Sequence, residues 1–486
     1  MSRIVDYCSD KSRGRLVDMM TIREPEREIQ VLGAHDVIVA GGGTAGVMAA
    51  IAAARNGAST LILERSGFFG GNIATQLLEH SAGWQDAAGH PIVGGLPLEM
   101  IDRLKAGGAS PGLVDDDTGY TRTRLPVEHE LFKSLIVEWL DEEGVAIMPQ
   151  APVVAVSGAG VASGTEAALH AICETRSGRI AFCAKAMVDA TGDADLFAKA
   201  RCDFHPTSAT QPVSMMFKLG NVDHAAALAY VRANPGDFKM DAGQPGFEGR
   251  HYYNLWGYGA LLRRGFEAGL VSLDRKEMHV ACHVLTREAV INVTRYAADA
   301  TDAGDMARAE LVLRRQVREF VRFFRKMVPG YENTFLSATA SCVGVRESRR
   351  IKGRATLTDD DVRSGRDFAD AVARGGFPID SHDAKGNSMD GTEPVPSGYD
   401  IPLGAMLPVN GPNLIAAGRC ISAERRALAS ARITGTCMAM GQAAGTAAAL
   451  SALSGIPMVD LDITQLQQRL REQGALFGGK TREPAI

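Results

Sequence analysis

The stretch DVIVAGGGTAGVMAAIAAARNGASTLILERSGFFGGN, Asp36 to Asn72, decides the fold of this 486-residue chain. An apolar run, Val37 to Ala40, leads into Gly41, Gly43 and Gly46. An alanine-rich helix opening at Thr44 and Ala45 follows, then a second apolar run ending at Glu64 and Arg65. The order strand, glycine turn, helix, strand gives the glycines their meaning. Gly41 permits a tight turn, Gly43 lets backbone N–H groups approach a pyrophosphate, and Gly46 lets the helix pack on its strand. The helix N-terminus then offers free N–H groups and a positive dipole end to phosphate. Glu64 stands roughly 20 residues on, where a carboxylate accepts hydrogen bonds from a ribose diol. The segment reads as a dinucleotide cradle.

Two uncharged stretches, Val37 to Ala54 and Ile433 to Val459, approach the length of a membrane span. The first contains three consecutive glycines after a β-branched run that suits a buried parallel strand. The second is rich in Thr, Ser, Gln and Gly, which suits a helix buried in a cofactor domain better than one in lipid.

Composition bounds the function. Hydrophobic residues at 45% and charged residues at 22% describe an ordinary globular chain with ample core. A net charge of -5 and a pI near 6.2 argue against nucleic acid or an anionic membrane as the main partner. The 8 cysteines form no CxxC pair and have no metal-ligand spacing, so they read as reduced thiols and no metal is expected. The N-terminus is polar and charged, without a secretory pattern, so the expected location is the cytoplasm.

Along the chain, residues 1–34 read as an N-terminal arm and residues 35–201 as the first part of a nucleotide domain. An amphipathic helix is expected from Leu125 to Glu143, with Pro126 in its first turn. Val145 to Met148, Pro152 to Val156, Ala167 to Glu174, Arg179 to Ala184 and Ala186 to Ala190 read as strands. The last of these feeds Thr191-Gly192-Asp193. Residues 202–400, where aromatics and methionines cluster, read as a substrate or cap domain containing a long helix from Asp302 to Val328. Within it, residues 380–400 read as a long polar loop. Leu414 to Ala417 restores a strand entering Gly418-Arg419. Residues 401–460 therefore complete the nucleotide domain, and residues 461–486 form a tail. The expected fold class is α/β: a Rossmann-like domain with a parallel sheet and β-meander, interrupted by an α+β insertion.

GGGTAG with Glu64, the GGN at 70–72, ATGD at 190–193, GVRESRR at 344–350 and AAGRCISAERRALASARITGTCMAMGQAAG at 416–445 together resemble the FAD-dependent oxidoreductases. The chain is most similar to the branch related to the flavoprotein subunits of fumarate reductase and succinate dehydrogenase. The resemblance implies FAD as the resident dinucleotide. It places Glu64 on the adenosine ribose, Gly70, Gly71 and Asn72 along the pyrophosphate and ribityl chain, and Val153 near adenine. Thr191, Gly192 and Asp193 would close over the pyrophosphate, and Gly418 and Arg419 would return to the ribityl. A helix opening at Thr434-Gly435-Thr436 would point its N-terminus at the flavin edge that turns negative on reduction, favouring the reduced ring. The other reading of that helix is close packing of small residues on the sheet.

The candidate catalytic residues are Arg346, His382 and Arg432. An arginine beside the flavin binds a carboxylate in bidentate fashion or stabilises an enolate-like charge. A histidine serves as a general base. Arg349, Arg350, His80, Asn292 and Arg295 are weaker candidates. The histidine, arginine and threonine arrangement that fumarate reductases place around a dicarboxylate is not recognisable here. The expected function is hydride transfer between flavin N5 and a small polar or acidic substrate. A flavin monooxygenase using O2 and a non-redox FAD-containing binding or RNA-modification protein are the rival readings. The expected partner is a small molecule, with an unspecified electron acceptor and a homodimer as the family-level expectation.

Overall fold

The computed structural model describes residues 22–79, 81–86, 88–158, 168–207, 210–240, 247, 249–382, 389–395, 397–411 and 413–478. Strand Gln30–Ala40 passes through the glycine turn into helix Thr44–Arg55 and returns as strand Thr60–Leu63, parallel to the first. Val37, Ile38, Val39 and Ala40 are fully buried, as befits a parallel strand covered on both faces. The first strand begins earlier than read: Gln30 to Ala34 continue it instead of belonging to an arm, because they pair with Ile180 to Cys183.

Seven strands form the main sheet. Ala146–Met148, Thr60–Leu63, Gln30–Ala40 and Gly178–Asp189 run parallel in that spatial order. Gly178–Asp189 is one strand of 12 residues, not the expected pair. It changes partners along its length. Its first half pairs antiparallel with Leu169–Thr175, which pairs with Val153–Ser157 to make the meander. Its last residues, Met187 to Asp189, pair in parallel with Leu414–Ala416. One continuous strand thus joins the meander to the C-terminal part of the chain.

Helix Thr434–Ser454 lies against helix Thr44–Arg55. A β-carbon at Gly441 would sit 2.1 Å from the Ala45 carbonyl oxygen, and one at Gly445 would sit 2.0 Å from that of Ala49. Small residues therefore let the two backbones touch along the middle of this helix. Helix Ile463–Glu472, within the expected tail, buries Leu466 and Leu470 in the same core. No helix among the described residues is long and apolar enough to cross a membrane.

A second sheet is antiparallel, in the order Phe238–Lys239, Tyr252–Gly257, Met278–His283, Glu288–Asn292, Phe217–Gly220, Phe335–Thr339. Helix Ala303–Met327, capped by the Asp302 side chain, covers it. Ala309, Leu313, Val317, Phe320 and Phe324 recur at helical spacing and share a core with Phe217, Val280 and Ile291. Ile351, Leu357, Val362, Ala373 and Ile379, though inside the span read as a cap, pack in the core of the main sheet.

Two local expectations are corrected. The amphipathic helix runs from His129 to Glu142. Leu125 to Val127 stay extended because Leu125 precedes a proline, and its N–H donates to the Ser81 carbonyl at 2.8 Å. Residues 380–400 are not one loop. Ile379–His382 and Met389–Glu393 form an antiparallel hairpin, and Tyr399–Pro402 pairs with Ala371–Gly375. Polar side chains hid the hairpin, because Asp380 and His382 turn toward a cavity instead of an apolar core.

Candidate functional site

A cavity of ≈ 400 Å³ extends from the end of strand Thr60–Leu63, across the glycine turn, to the junction with the second sheet. At one end stand Glu64, Arg65 and Val153. Glu64 is buried, and its two carboxylate oxygens accept the Gly42 and Ser66 N–H groups, each at 2.6 Å. In the middle the wall is Gly41, Gly43, Thr44 and Ala45 facing Thr191, Gly192, Gly418 and Arg419. Gly41 has φ 102°, a conformation that favours glycine. A β-carbon on Gly46 would lie 1.8 Å from the Gly41 carbonyl oxygen, so that glycine serves packing and does not reach the wall.

The turn after strand Gly178–Asp189 is shaped by a residue the sequence reading missed. Asp189 is fully buried, and its carboxylate accepts the Thr191 hydroxyl at 2.6 Å, the Thr191 N–H at 3.0 Å and the Phe197 N–H at 3.1 Å. Burial raises its pKa to about 6 against the pull of these donors. Asp193 points away from the wall. It pairs with Arg419 at 2.8 Å and accepts the Ser348 hydroxyl at 2.6 Å. Burial works against its charge, but Arg419, Ser348 and Arg65 outweigh burial and hold its pKa below the usual range.

At the far end Gly71, Asn72, Thr434 and Cys437 line the cavity, and the Asn72 amide donates to the Thr434 hydroxyl at 3.2 Å. Gly70, Gly435 and Thr436 are not on its wall: Gly70 backs onto the Phe132 ring and Gly435 onto the Gly83 carbonyl. In a helix, positions three apart share a face, so Thr434 and Cys437 point one way and the two residues between them point another.

The same end gathers Arg346, His382 and Arg432, together with Asp380, Tyr120, Phe377, Ser214, Met216 and Asn292. Asp380 organises the cluster. Its Oδ1 lies 3.3 Å from His382 Nε2, and its Oδ2 lies 3.3 Å from an Arg432 nitrogen that also donates to the Asp380 carbonyl at 3.1 Å. Burial opposes the Asp380 charge, but His382, Arg432 and Arg346 hold its pKa well below the usual carboxylate range. Burial lowers the His382 pKa to about 4 despite Asp380, so the ring is neutral at pH 7. Its Nδ1 is buried without a hydrogen-bond partner among the described residues. Arg346 donates to the Pro212 carbonyl at 2.6 Å and has no carboxylate within ion-pair distance among the described residues. Burial and the neighbouring Arg432 lower its pKa to about 9, which still leaves a cation at pH 7. Gln211, fully buried and not foreseen from sequence, accepts from the His382 N–H at 3.4 Å.

The weaker candidates divide. Asn292 lines the cavity, while Arg295 stands behind it, donating to its side-chain oxygen at 2.8 Å. Arg349 pairs with Asp195 at 2.9 Å, and Arg350 donates to the carbonyls of Ala423 and Pro206. Both therefore tie segments together away from the cavity wall. His80 lies outside the described residues.

A parallel sheet with a glycine turn, a helix N-terminus and a terminal acid along one elongated cavity defines a dinucleotide-binding protein of the Rossmann-like class. A family model described as FAD dependent oxidoreductase matches residues 36–470, and the chain belongs to that family. It is an enzyme whose cofactor is FAD. A comparison with curated proteins finds no match. Among solved structures, the chain is similar to a geranylgeranyl bacteriochlorophyll reductase-like protein from Thermoplasma acidophilum, at 12% identity and a TM-score of 0.46, over 91% of this chain and 84% of that one. It is also similar to p-nitrophenol 4-monooxygenase from Pseudomonas putida, at 11% identity and a TM-score of 0.42, over 91% and 85%. The residues present fit FAD. A β-carbon at Gly43 would meet only the Gly71 Cα, at 3.8 Å, so the backbone there is open to a ligand.

Proposed function

We propose that this enzyme moves a hydride between a small carboxylate-bearing substrate and N5 of FAD. The observation carrying the reading is Arg346, a half-buried cation with no carboxylate within ion-pair distance among the described residues, on the cavity wall that it shares with the Asp380–His382 pair. An arginine so placed gains most from an incoming carboxylate, which it can grip through two parallel hydrogen bonds. Bound FAD supplies the two-electron acceptor or donor.

The chain's own residues divide the remaining work. Glu64 holds the adenosine ribose, and the N–H groups of Thr44 and Ala45 face the pyrophosphate. The N-terminus of helix Thr434–Ser454 favours negative charge at the flavin end. Arg346 anchors the substrate carboxylate. His382 accepts a substrate proton at Nδ1, with Asp380 holding the ring through Nε2 and stabilising the imidazolium that results. The likeness to the fumarate reductase and succinate dehydrogenase branch belongs to this reading too, although their dicarboxylate arrangement is not recognisable here and the carboxylate chemistry is argued from Arg346 and His382.

The test is anaerobic. The purified holoenzyme is mixed with hydroxy acids, amino acids and saturated carboxylates while the visible flavin band is followed. Bleaching by an acid, and none by the matching alcohol or amine lacking the carboxylate, is the expected result. Bleaching by uncharged compounds alone would refute the carboxylate anchor.

A further inference from the structure

We infer that Tyr120 is a catalytic hydrogen-bond donor to a substrate oxygen, so that the preferred substrates are hydroxy acids or, in reverse, oxo acids. The inference rests on the carboxylate reading above and adds to it the group beside the carboxylate.

Tyr120 lines the cavity at the same end as Asp380 and His382. Its ring is set edge-on between Trp256, at 5.0 Å and 89°, and Phe377, at 5.4 Å and 84°. These contacts fix the direction of the hydroxyl. The hydroxyl faces Asp380 and Thr392 yet is shut from solvent without a well-formed hydrogen bond among the described residues. A buried hydroxyl in that condition gains from an incoming acceptor. His382 Nδ1 and Arg432 Nε share the condition. Asp380 Oδ1 does so as well, and unpaired donors and acceptors meeting on one cavity wall suit an oxygen-bearing ligand better than a hydrocarbon.

The second sheet holds Tyr120 in place. Asp116, which is buried, accepts the Tyr120 N–H at 2.9 Å and the Thr118 hydroxyl at 2.6 Å through Oδ2. Its Oδ1 accepts the Asn254 side-chain amide at 2.7 Å. Asn254 in turn accepts the Asp117 N–H at 3.1 Å, and its own N–H donates to Asp117 Oδ2 at 2.8 Å. Asn254 and Trp256 stand two apart on strand Tyr252–Gly257, hence on one face. One strand therefore clamps both the backbone and the ring of the tyrosine segment. Asn254 and Asp116 are positioning residues, and Tyr120 is the group that reaches the substrate.

In the oxidising direction the substrate C–H electron pair leaves with its hydrogen for bound FAD. The O–H proton passes to His382 Nδ1, and the C–O bond becomes C=O. Tyr120 keeps its proton throughout and contributes a hydrogen bond to that oxygen.

The test uses matched probes: pyruvate against propionate, and 3-hydroxybutyrate against butyrate, titrated into the oxidised holoenzyme while its visible band is followed. The wild type is expected to respond to the oxygenated member of at least one pair at about tenfold lower concentration, the ratio that one hydrogen bond of about 1.4 kcal/mol gives. Tyr120→Phe keeps the ring contacts and is expected to retain FAD and to erase that ratio while leaving the response to the plain acid. Asn254→Ala, with the hydroxyl still present, is expected to narrow the ratio about threefold, and it decides the matter should Tyr120→Phe lose FAD. A wild-type ratio persisting in either deciding variant overturns the role of Tyr120 while leaving the carboxylate anchor standing. A wild type without discrimination also overturns it. Silence of the wild type toward every carboxylate overturns the anchor and the inference together.

Discussion

His382 Nε2 lies 3.3 Å from Asp380 Oδ1, and the opposite ring nitrogen is buried without a partner among the described residues. A carboxylate that fixes one nitrogen of a neutral imidazole defines the other as the acceptor. Because burial lowers the His382 pKa to about 4, the basic form persists far below the ordinary histidine range. The acid limb of kcat/KM is therefore expected near pH 4, with activity lost as pH falls through that value. A limb near pH 6.5, the unperturbed value, would remove His382 as the base.

Asp380→Asn keeps the shape but exchanges a charge for an amide. Bound FAD should be unchanged, while kcat falls by roughly 10²-fold or more, the range of a misplaced general base. Retained turnover would show that the pair is structural.

Arg346→Ala is expected to leave FAD content intact and reduce kcat/KM about ten- to a hundredfold, the loss of one charge-assisted hydrogen-bonded anchor. Arg346→Lys should recover only part, because an ammonium cannot reproduce the bidentate fork. Equal activity in the lysine variant would contradict bidentate binding.

Two glycines should respond differently to alanine. Gly46→Ala drives a β-carbon to within 1.8 Å of the Gly41 carbonyl oxygen and is expected to lower Tm by several degrees. Gly43→Ala meets only Gly71 Cα at 3.8 Å and should fold normally, yet bind FAD poorly because the methyl stands where the cofactor approaches. Calorimetry and the flavin-to-protein absorbance ratio separate the two outcomes.

Acid stability follows from three histidines away from the cavity. Burial lowers the pKa of His129 to about 3, His224 to about 4 and His279 to about 3. On unfolding they take up protons below about pH 6.5, so the folded state loses stability as pH falls from there. Glu79 and Asp189, raised by burial to about 7 and about 6, act in the opposite sense between pH 4 and 7, because the folded state holds their protons. At pH 5 three protons against fewer than two leave a net uptake of roughly one on unfolding, or about 1–2 kcal/mol per pH unit. Tm measured from pH 7 to pH 4.5 should fall; a flat profile would contradict these burial effects.

The local part of the molecule was legible and the long-range part was not. Gly41 to Glu64 carries its own strand, turn, helix and acid, so the chain's order alone revealed it. Thr434 lines the cavity while Gly435 and Thr436 lie off its wall, on a helix whose facing could not be known before its packing partner was. Asp380 and His382 sit on a hairpin masked by polar side chains that serve a cavity. Tyr120 gave no periodic signal at all; only the Trp256 ring and the Asn254 amide, more than 130 residues later, put it at the site.

Helices Thr44–Arg55 and Thr434–Ser454 touch backbone to backbone through Gly441 and Gly445. During synthesis the early half of the cofactor's berth consequently waits, incomplete, for its late half to leave the ribosome. A nascent chain stopped at residue 430 is expected to capture no FAD, and loading becomes one of the last events in the making of this enzyme.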